Sequence, residues 1–274
     1  MDGSGVGDYP TIDAAILGAK TGEIIVLRPG TYTFKVNFTI DRDVRIVGEG
    51  GREKVIVERA PGTHVFHFTR GSATLTGLTI RYTGPPPPEG SIGAVLVAGG
   101  TPIFEDCEFT STAGAAVYIK GATSNPLLRN CTLRDSYRSG VLVFEQGQGK
   151  IERCVISGNT QAGVAIQTGG NPTVRDCQIR DGKDDGVFVY DQGKGTIEAC
   201  VITGNALDGV AIHTGGNLTV RDCQIRDNKQ SGVFVGDQGT GVIERCVISG
   251  NAINAWRINR TAGIVIRTDN KPNQ

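Results

Sequence analysis

The nine residues Thr173–Asp181, TVRDCQIRD, recur letter for letter at Thr219–Asp227, 46 residues further on. The cysteine at the centre of each copy is one of seven, at positions 107, 131, 154, 177, 200, 223 and 246, so the intervals are 24 and then 23 throughout. A fixed period in this range marks an array of structural repeats. Each unit carries three short β-type stretches between Gly, Asn and Asp turns; in the unit ending at Cys200 they are QIR, GVFVY and TIE. Strands this short bury no core alone. Stacked as coils about 4.8 Å apart, they line one continuous interior. The sequence therefore predicts an all-β fold, a right-handed single-stranded parallel β-helix. Side-chain alternation turns Val187 and Val189 inward and Phe188 and Tyr190 outward.

The cysteines fall at one place in every coil, so they predict an interior ladder of free, buried thiols acting as small apolar groups. Their number is odd, and parallel stacked side chains point the wrong way for disulfides. No C-x-x-C spacing is present, and neither a metal nor a cofactor is expected. Two residues before each cysteine stand Glu105, Arg129, Glu152, Arg175, Glu198, Arg221 and Glu244. Stacking gives each of them opposite charges above and below, and a slip by one coil would bring like charges together. Three residues after the cysteines, Arg134, Ser157, Arg180, Thr203, Arg226 and Ser249 alternate in the same way. The repeated phrase is thus a register lock built in units of two coils. Between 154–199 and 200–245, 33 of 46 positions match and 13 differ. The differences are where function is expected.

One β-helix domain is expected over 1–274: a capping region at 1–22, irregular first coils at 23–92, regular coils at 93–251, and a loop with an incomplete last coil at 252–274. A short helix over about Thr11–Ala19, with Ile12, Ala15 and Ile16 on one face, would plug the first coil. The far end, GIVIRTDNKPNQ, has no such plug; either a loop folds over it or the chain is cut from a longer one, and the second is preferred. Lys+Arg and Asp+Glu number 28 each, which gives no field to attract nucleic acid or an anionic membrane. No apolar run approaches the roughly 18 residues of a membrane span. The start, MDGS, lacks the features of a signal peptide, and reduced cysteines fit a cytoplasmic location.

The opening DGSGVGDYPTIDAAI, with RPGTY and VRIVGEGG, resembles the start of pectin-lyase-like β-helix proteins. The repeats GVAIQTGGNPTVRDC and GVFVYDQGKGTIEAC resemble the carbohydrate-binding-and-sugar-hydrolase (CASH) repeats. Their phrasing is especially similar to the β-helix of CASH-type F-box proteins, substrate adaptors of ubiquitin ligases. The resemblance covers nearly the whole chain and implies the fold; the superfamily includes lyases, hydrolases, epimerases, esterases and non-catalytic binders. In the F-box relatives the cysteine position is usually Asn, and no F-box segment is present in this sequence. The catalytic stretches that a pectin methylesterase, polygalacturonase, lyase or alginate-epimerase resemblance would imply are missing, apart from Asp184-Asp185.

The outward residues of the GVxV strands change from rung to rung: Tyr118/Lys120, Leu142/Phe144, Ala165/Gln167, Phe188/Tyr190, Ala211/His213 and Phe234/Gly236. Aromatic rungs alternate with alanine rungs, leaving steps that suit a sugar ring or a partner's side chain. The candidate ligand-binding residues are Phe144, Phe188, Tyr190, His213, Phe234 and Trp256. Two insertions, YTGPPPPEGSI and NAINAWRINRTAG, would flank this face, the second carrying Trp256 for either binding or capping. Asp184, Asp185 and Asp208 are the candidate catalytic acids, with solvated turn acids the competing reading. His64 and His67 are assigned to turns of the first coils. Two functions follow: a non-catalytic scaffold recognising a protein or polysaccharide, which is preferred, or a polysaccharide lyase or hydrolase with an atypical acidic site.

Overall fold

The computed structural model describes residues 9–34, 37, 39–87 and 92–272. Its chain winds as a right-handed parallel β-helix with three sheets. Sheet A has 11 strands, from Ile24–Leu27 to Val265–Thr268; sheet B has 11, from Gly30–Thr33 to Lys271–Pro272. Sheet C has nine, from Phe66–Phe68 to Trp256–Ile258. Strand pairing is parallel at every junction, and in the regular coils each residue faces its equivalent one coil away, as in Val174 against Ile197 and Ile179 against Ile202. These side chains are fully buried, as are Val187 and Val189, so alternation sets the facing as expected. The early coils are filled by rings instead: Phe68, Phe104 and Phe109 pack edge to face at 5.4 and 5.5 Å.

The helix spans Ile12–Gly18, with the Thr11 hydroxyl accepting from the Ala14 amide as its N-cap. Ile12, Ala15 and Ile16 are buried at the head of the core, so the helix closes the first coil.

All seven cysteines are buried and free. The residue before each one has a φ between 51 and 56°, a left-handed turn that swings the following side chain inward. Backbone amides of Cys154, Cys177 and Cys200 donate to the sulfur one coil on, each at 3.4 Å. A buried asparagine ladder runs beside them, unforeseen from the sequence. Asn159, Asn205 and Asn228 accept backbone N–H groups from the preceding coil at 3.0–3.1 Å.

The charge stripe forms in the expected register, Arg129 facing Glu105 and Glu152, and Arg175 facing Glu152 and Glu198. Ion pairs close at Arg129–Glu105, Arg129–Glu152, Arg175–Glu152 and Arg221–Glu198, at 3.2–3.8 Å. A steric device reinforces the two-coil unit. Asp135, Asp181 and Asp227 alternate with Gly158, Gly204 and Gly250, all at positive φ. A Cβ on these glycines would lie 2.4, 2.7 and 2.4 Å from the aspartate Oδ1 of the coil before. A glycine coil after an aspartate coil therefore avoids this contact and the cost of a side chain at positive φ.

The structure corrects the reading of the far end. The segment taken as an inserted loop continues the coil: Trp256, Arg257 and Ile258 pair with Val233, Phe234 and Val235. Val265–Thr268 and Lys271–Pro272 then extend sheets A and B, and Asn270 takes the cysteine position, its Oδ1 accepting from the Cys246 amide at 2.9 Å. The phase was obscured because Ala255 and Trp256 stand where earlier coils have Gly and Val.

Candidate ligand groove

The outward face of sheet C is a column running along the rod. Leu142, Ala165, Phe188, Ala211, Phe234 and Arg257 stack in register. A second column, two residues further along each strand, holds Phe144, Gln167, Tyr190 and His213. Because Ala165 carries one methyl between larger neighbours, the face is indented there. The result is a groove of about 520 Å³, with Phe144 on one side of the step and Phe188 and Tyr190 on the other. Phe188 and Tyr190 stack at 4.6 Å with an interplanar angle of 23°. Burial raises the Tyr190 phenol above its ordinary range.

The rim is polar. Arg138, Gln161 and Asp184, from the turns entering sheet C, line one side; Lys120 and Gln167 line the other. Lys120 is paired to Glu145 at 3.5 Å. Among the described residues no carboxylate lies within ion-pair range of Arg138, and its Nε has no hydrogen-bond partner. Sequence reasoning missed Arg138 and Gln161 because in the entering turns it looked only for acids.

His64 and His67 both border this face; His67 lies in a strand, which corrects its assignment to a turn, while His64 stays in the turn that enters it. His67 lies in the first strand of sheet C, facing Leu96. His64 is an end wall of the groove, 5.6 Å from the Tyr118 ring, with Nδ1 accepting from the Gly93 amide at 3.0 Å. Burial, reinforced by His67, holds the His64 imidazole down to about 4, so it is neutral at physiological pH. Tyr118, expected outward, is buried beneath this wall, and its hydroxyl accepts from the Ala115 amide at 2.9 Å.

The remaining candidates separate. His213 and Phe234 sit on the next rungs, with ring centroids 4.6 Å apart, and His213 lies 5.4 Å from Phe188. Phe234 is only 6% exposed, because the Arg257 guanidinium lies 4.1 Å over its ring. Trp256 is not on this face. It takes an inward register position opposite Val233, packs against the core and carries Arg267 over its ring at 5.2 Å. It is the cap.

Two of the three acids are not solvated turn groups, whereas Asp184 stays partly exposed in its turn. Asp185 and Asp208 are buried, at 7% and 4% exposure. Asp185 Oδ1 accepts from the Asp208 amide at 2.8 Å, and Asp208 Oδ1 accepts from the Ser231 amide at 2.7 Å. The other Asp208 oxygen is paired to Arg257 at 2.7 Å. Asp185 is pushed up to about 7, chiefly by burial and also by its neighbours Asp184 and Asp208. Asp184 alone of the three lines the groove, and its Oδ1 accepts from the Asp185 amide at 2.9 Å. Among the described residues no cluster of His, Cys, Asp and Glu has the arrangement of a metal site. No described helix is long and apolar enough to cross a membrane.

The 13 differences between the two-coil units concentrate here. Six of them fall on the strand face or its entering turn: Gln161/Leu207, Ala162/Asp208, Gln167/His213, Asp184/Gln230, Asp185/Ser231 and Tyr190/Gly236. The lattice repeats while this face varies.

Comparison with known proteins agrees with the architecture. The F-box protein dre-1 of Caenorhabditis elegans is 32% identical over an alignment 164 residues long, which covers 52% of this chain and 17% of that protein's length. Among solved structures, the A-module of the Azotobacter vinelandii mannuronan C-5 epimerase AlgE6 superposes with a TM-score of 0.61 at 20% identity, covering 97% of this chain and 77% of the module. Pectate lyase Pel9A gives 0.60 at 15% identity, over 95% and 70% of the two chains. ORF18 of Geobacillus virus E2 gives 0.68 at 14%, over 99% and 61%. At these identities the likeness is one of fold. A family model described as a right handed beta helix region matches residues 63–221 and, overlapping them, 123–272. The chain belongs to the right-handed β-helix family.

Proposed function

We propose that the protein is a recognition rod whose sheet C groove binds a segment of a glycan chain without cleaving it. The observation that carries this reading is the groove itself: a one-methyl floor at Ala165, ring walls from Phe144, Phe188 and Tyr190, and a rim of amides and charges. Sugar rings present apolar faces to stack on aromatic side chains and hydroxyls to meet Gln161, Gln167, Arg138 and Asp184. A protein side chain would use the apolar step but less of this rim. The names of two neighbours in fold, a mannuronan epimerase and a pectate lyase, point to polysaccharides. The F-box relative favours a protein ligand, and peptide binding is the competing outcome.

The enzymatic reading has one observation on its side, a buried carboxyl at Asp185 raised to about 7, where a general acid would operate. Against it, Asp185 and Asp208 each commit an oxygen to a backbone amide, and Asp208 is also held by Arg257. Acid–base cleavage of a glycosidic bond takes two carboxyl groups flanking that bond, and only Asp184 of the three lines the groove. A glycan array combined with a polysaccharide degradation screen tests the proposal. Binding without product is the expected result; product lost in Asp184→Asn or Asp185→Asn would establish the enzyme instead.

A further inference from the structure

The indentation at Ala165 has a second copy. Two coils on, Ala211 again stands between two larger side chains, here Phe188 and Phe234 where Ala165 has Leu142 and Phe188. Yet the first step is open and the second is filled. Ala211 is fully buried, and His213 occupies the space above it, in ring contact with Phe188 on one side and Phe234 on the other. Arg257 lies over Phe234 and is fastened to Asp208 at 2.7 Å, with Gln230 at 3.4 Å. Subtracting 46 from each closing residue gives its equivalent at the open step: Gln167 for His213, Ala162 for Asp208, Ala211 for Arg257. These three side chains fill the closed step, while its flanks differ as well, Phe188 standing in place of Leu142 and Gly236 in place of Tyr190.

We infer that the Ala211 step is a second ring-binding subsite occupied by the protein's own side chains, with His213 as the occupant and the Arg257–Asp208 pair as the clasp. A ligand bound at Ala165 that extends past Tyr190 meets this clasp, which limits the length it engages. The consequence for glycans rests on the recognition reading above; the existence of a closed subsite does not.

The test transplants the open step onto the closed one, using Asp208→Ala, His213→Gln and Arg257→Ala together. Each incoming residue already occupies the equivalent place two coils earlier, and removing Asp208 with Arg257 leaves no unpaired buried charge. Crystals of both proteins are soaked with indole, a neutral ring probe. Indole at the Ala165 step alone in the wild type, and at both steps in the triple variant, is the expected result. Indole at the Ala211 step of the wild type, or its absence there in a folded triple variant, overturns the inference. If the triple variant does not fold, His213→Gln alone vacates the step without touching the clasp, and the same two outcomes decide. With a glycan that binds the wild type, affinity should stop rising with chain length at the clasp. In the triple variant it should rise further, by roughly tenfold for the longer chains, the gain of one or two ring contacts. A glycan that binds neither protein while indole enters both steps of the variant refutes the recognition reading and leaves the subsite standing.

Discussion

Replacing Asp185 with Asn isolates a buried carboxyl in the turn beside the groove. In the unfolded chain an aspartate titrates near 3.9, whereas burial in the folded protein pushes Asp185 up to about 7. Between these values the folded protein holds a proton that the unfolded chain has released. Stability therefore falls as pH rises from about 4 to about 7, and the loss is complete above 7. Three pH units at about 1.4 kcal/mol each set a ceiling of about 4 kcal/mol, and relaxation of the site reduces this to about 2–4 kcal/mol. Asn keeps an oxygen for the Asp208 amide, which Asp185 Oδ1 meets at 2.8 Å, and it does not titrate. Asp185→Asn should therefore gain on the wild type by that amount between pH 4.5 and pH 8. Urea unfolding at both pH values measures it, following far-UV circular dichroism together with fluorescence of Trp256, the single tryptophan. A split between the probes would reveal coils unfolding separately. Parallel stability curves for variant and wild type would refute the assignment of a protonated, buried Asp185.

Two further expectations concern the lattice. Arg175→Glu faces Glu152 and Glu198 in register, so it should cost about 1 kcal/mol more than Arg175→Gln, with the difference shrinking in 1 M salt; equal stabilities at low salt would contradict the register lock. Gly204→Ala puts a side chain at a φ of 69° and a Cβ 2.7 Å from Asp181 Oδ1. It should lower stability by about 1–2 kcal/mol, and adding Asp181→Ala should return the steric part while the backbone part persists.

The fold was legible because a solenoid writes its architecture locally. Each cysteine follows a left-handed turn residue, and Val187 and Val189 alternate with Phe188 and Tyr190, so period and facing could be read within single coils. The alternating column from Glu105 to Glu244 could be read because its partners sit one period apart. Of the residues named from the sequence, Phe144, Phe188 and Tyr190 on strands and Asp184 in a turn line the groove, as does the step at Ala165. What failed depends on side chains crossing rungs. Arg257 reaches back over Phe234 to Asp208, a span that strand alternation does not describe, and it turned two expected exposed groups into buried ones. Trp256 was misplaced because the last coil breaks the Gly-Val spelling while keeping the strand. The signal that would have found Arg257 was present in the 46-residue offset, which pairs Arg257 with Ala211 and Asp208 with Ala162.

A ligand seated at the Ala165 step would be displaced by filling that step. Ala165 points outward between Leu142 and Phe188, so Ala165→Phe fills the groove with a ring and leaves the interior unchanged. Titration calorimetry of the glycan selected on the array, against wild type and Ala165→Phe, is the direct measurement. Affinity should fall by at least roughly tenfold in a variant that unfolds at the wild-type urea midpoint, the loss appropriate to blocking a central contact. Undiminished binding by the folded variant would place the ligand elsewhere and contradict the account.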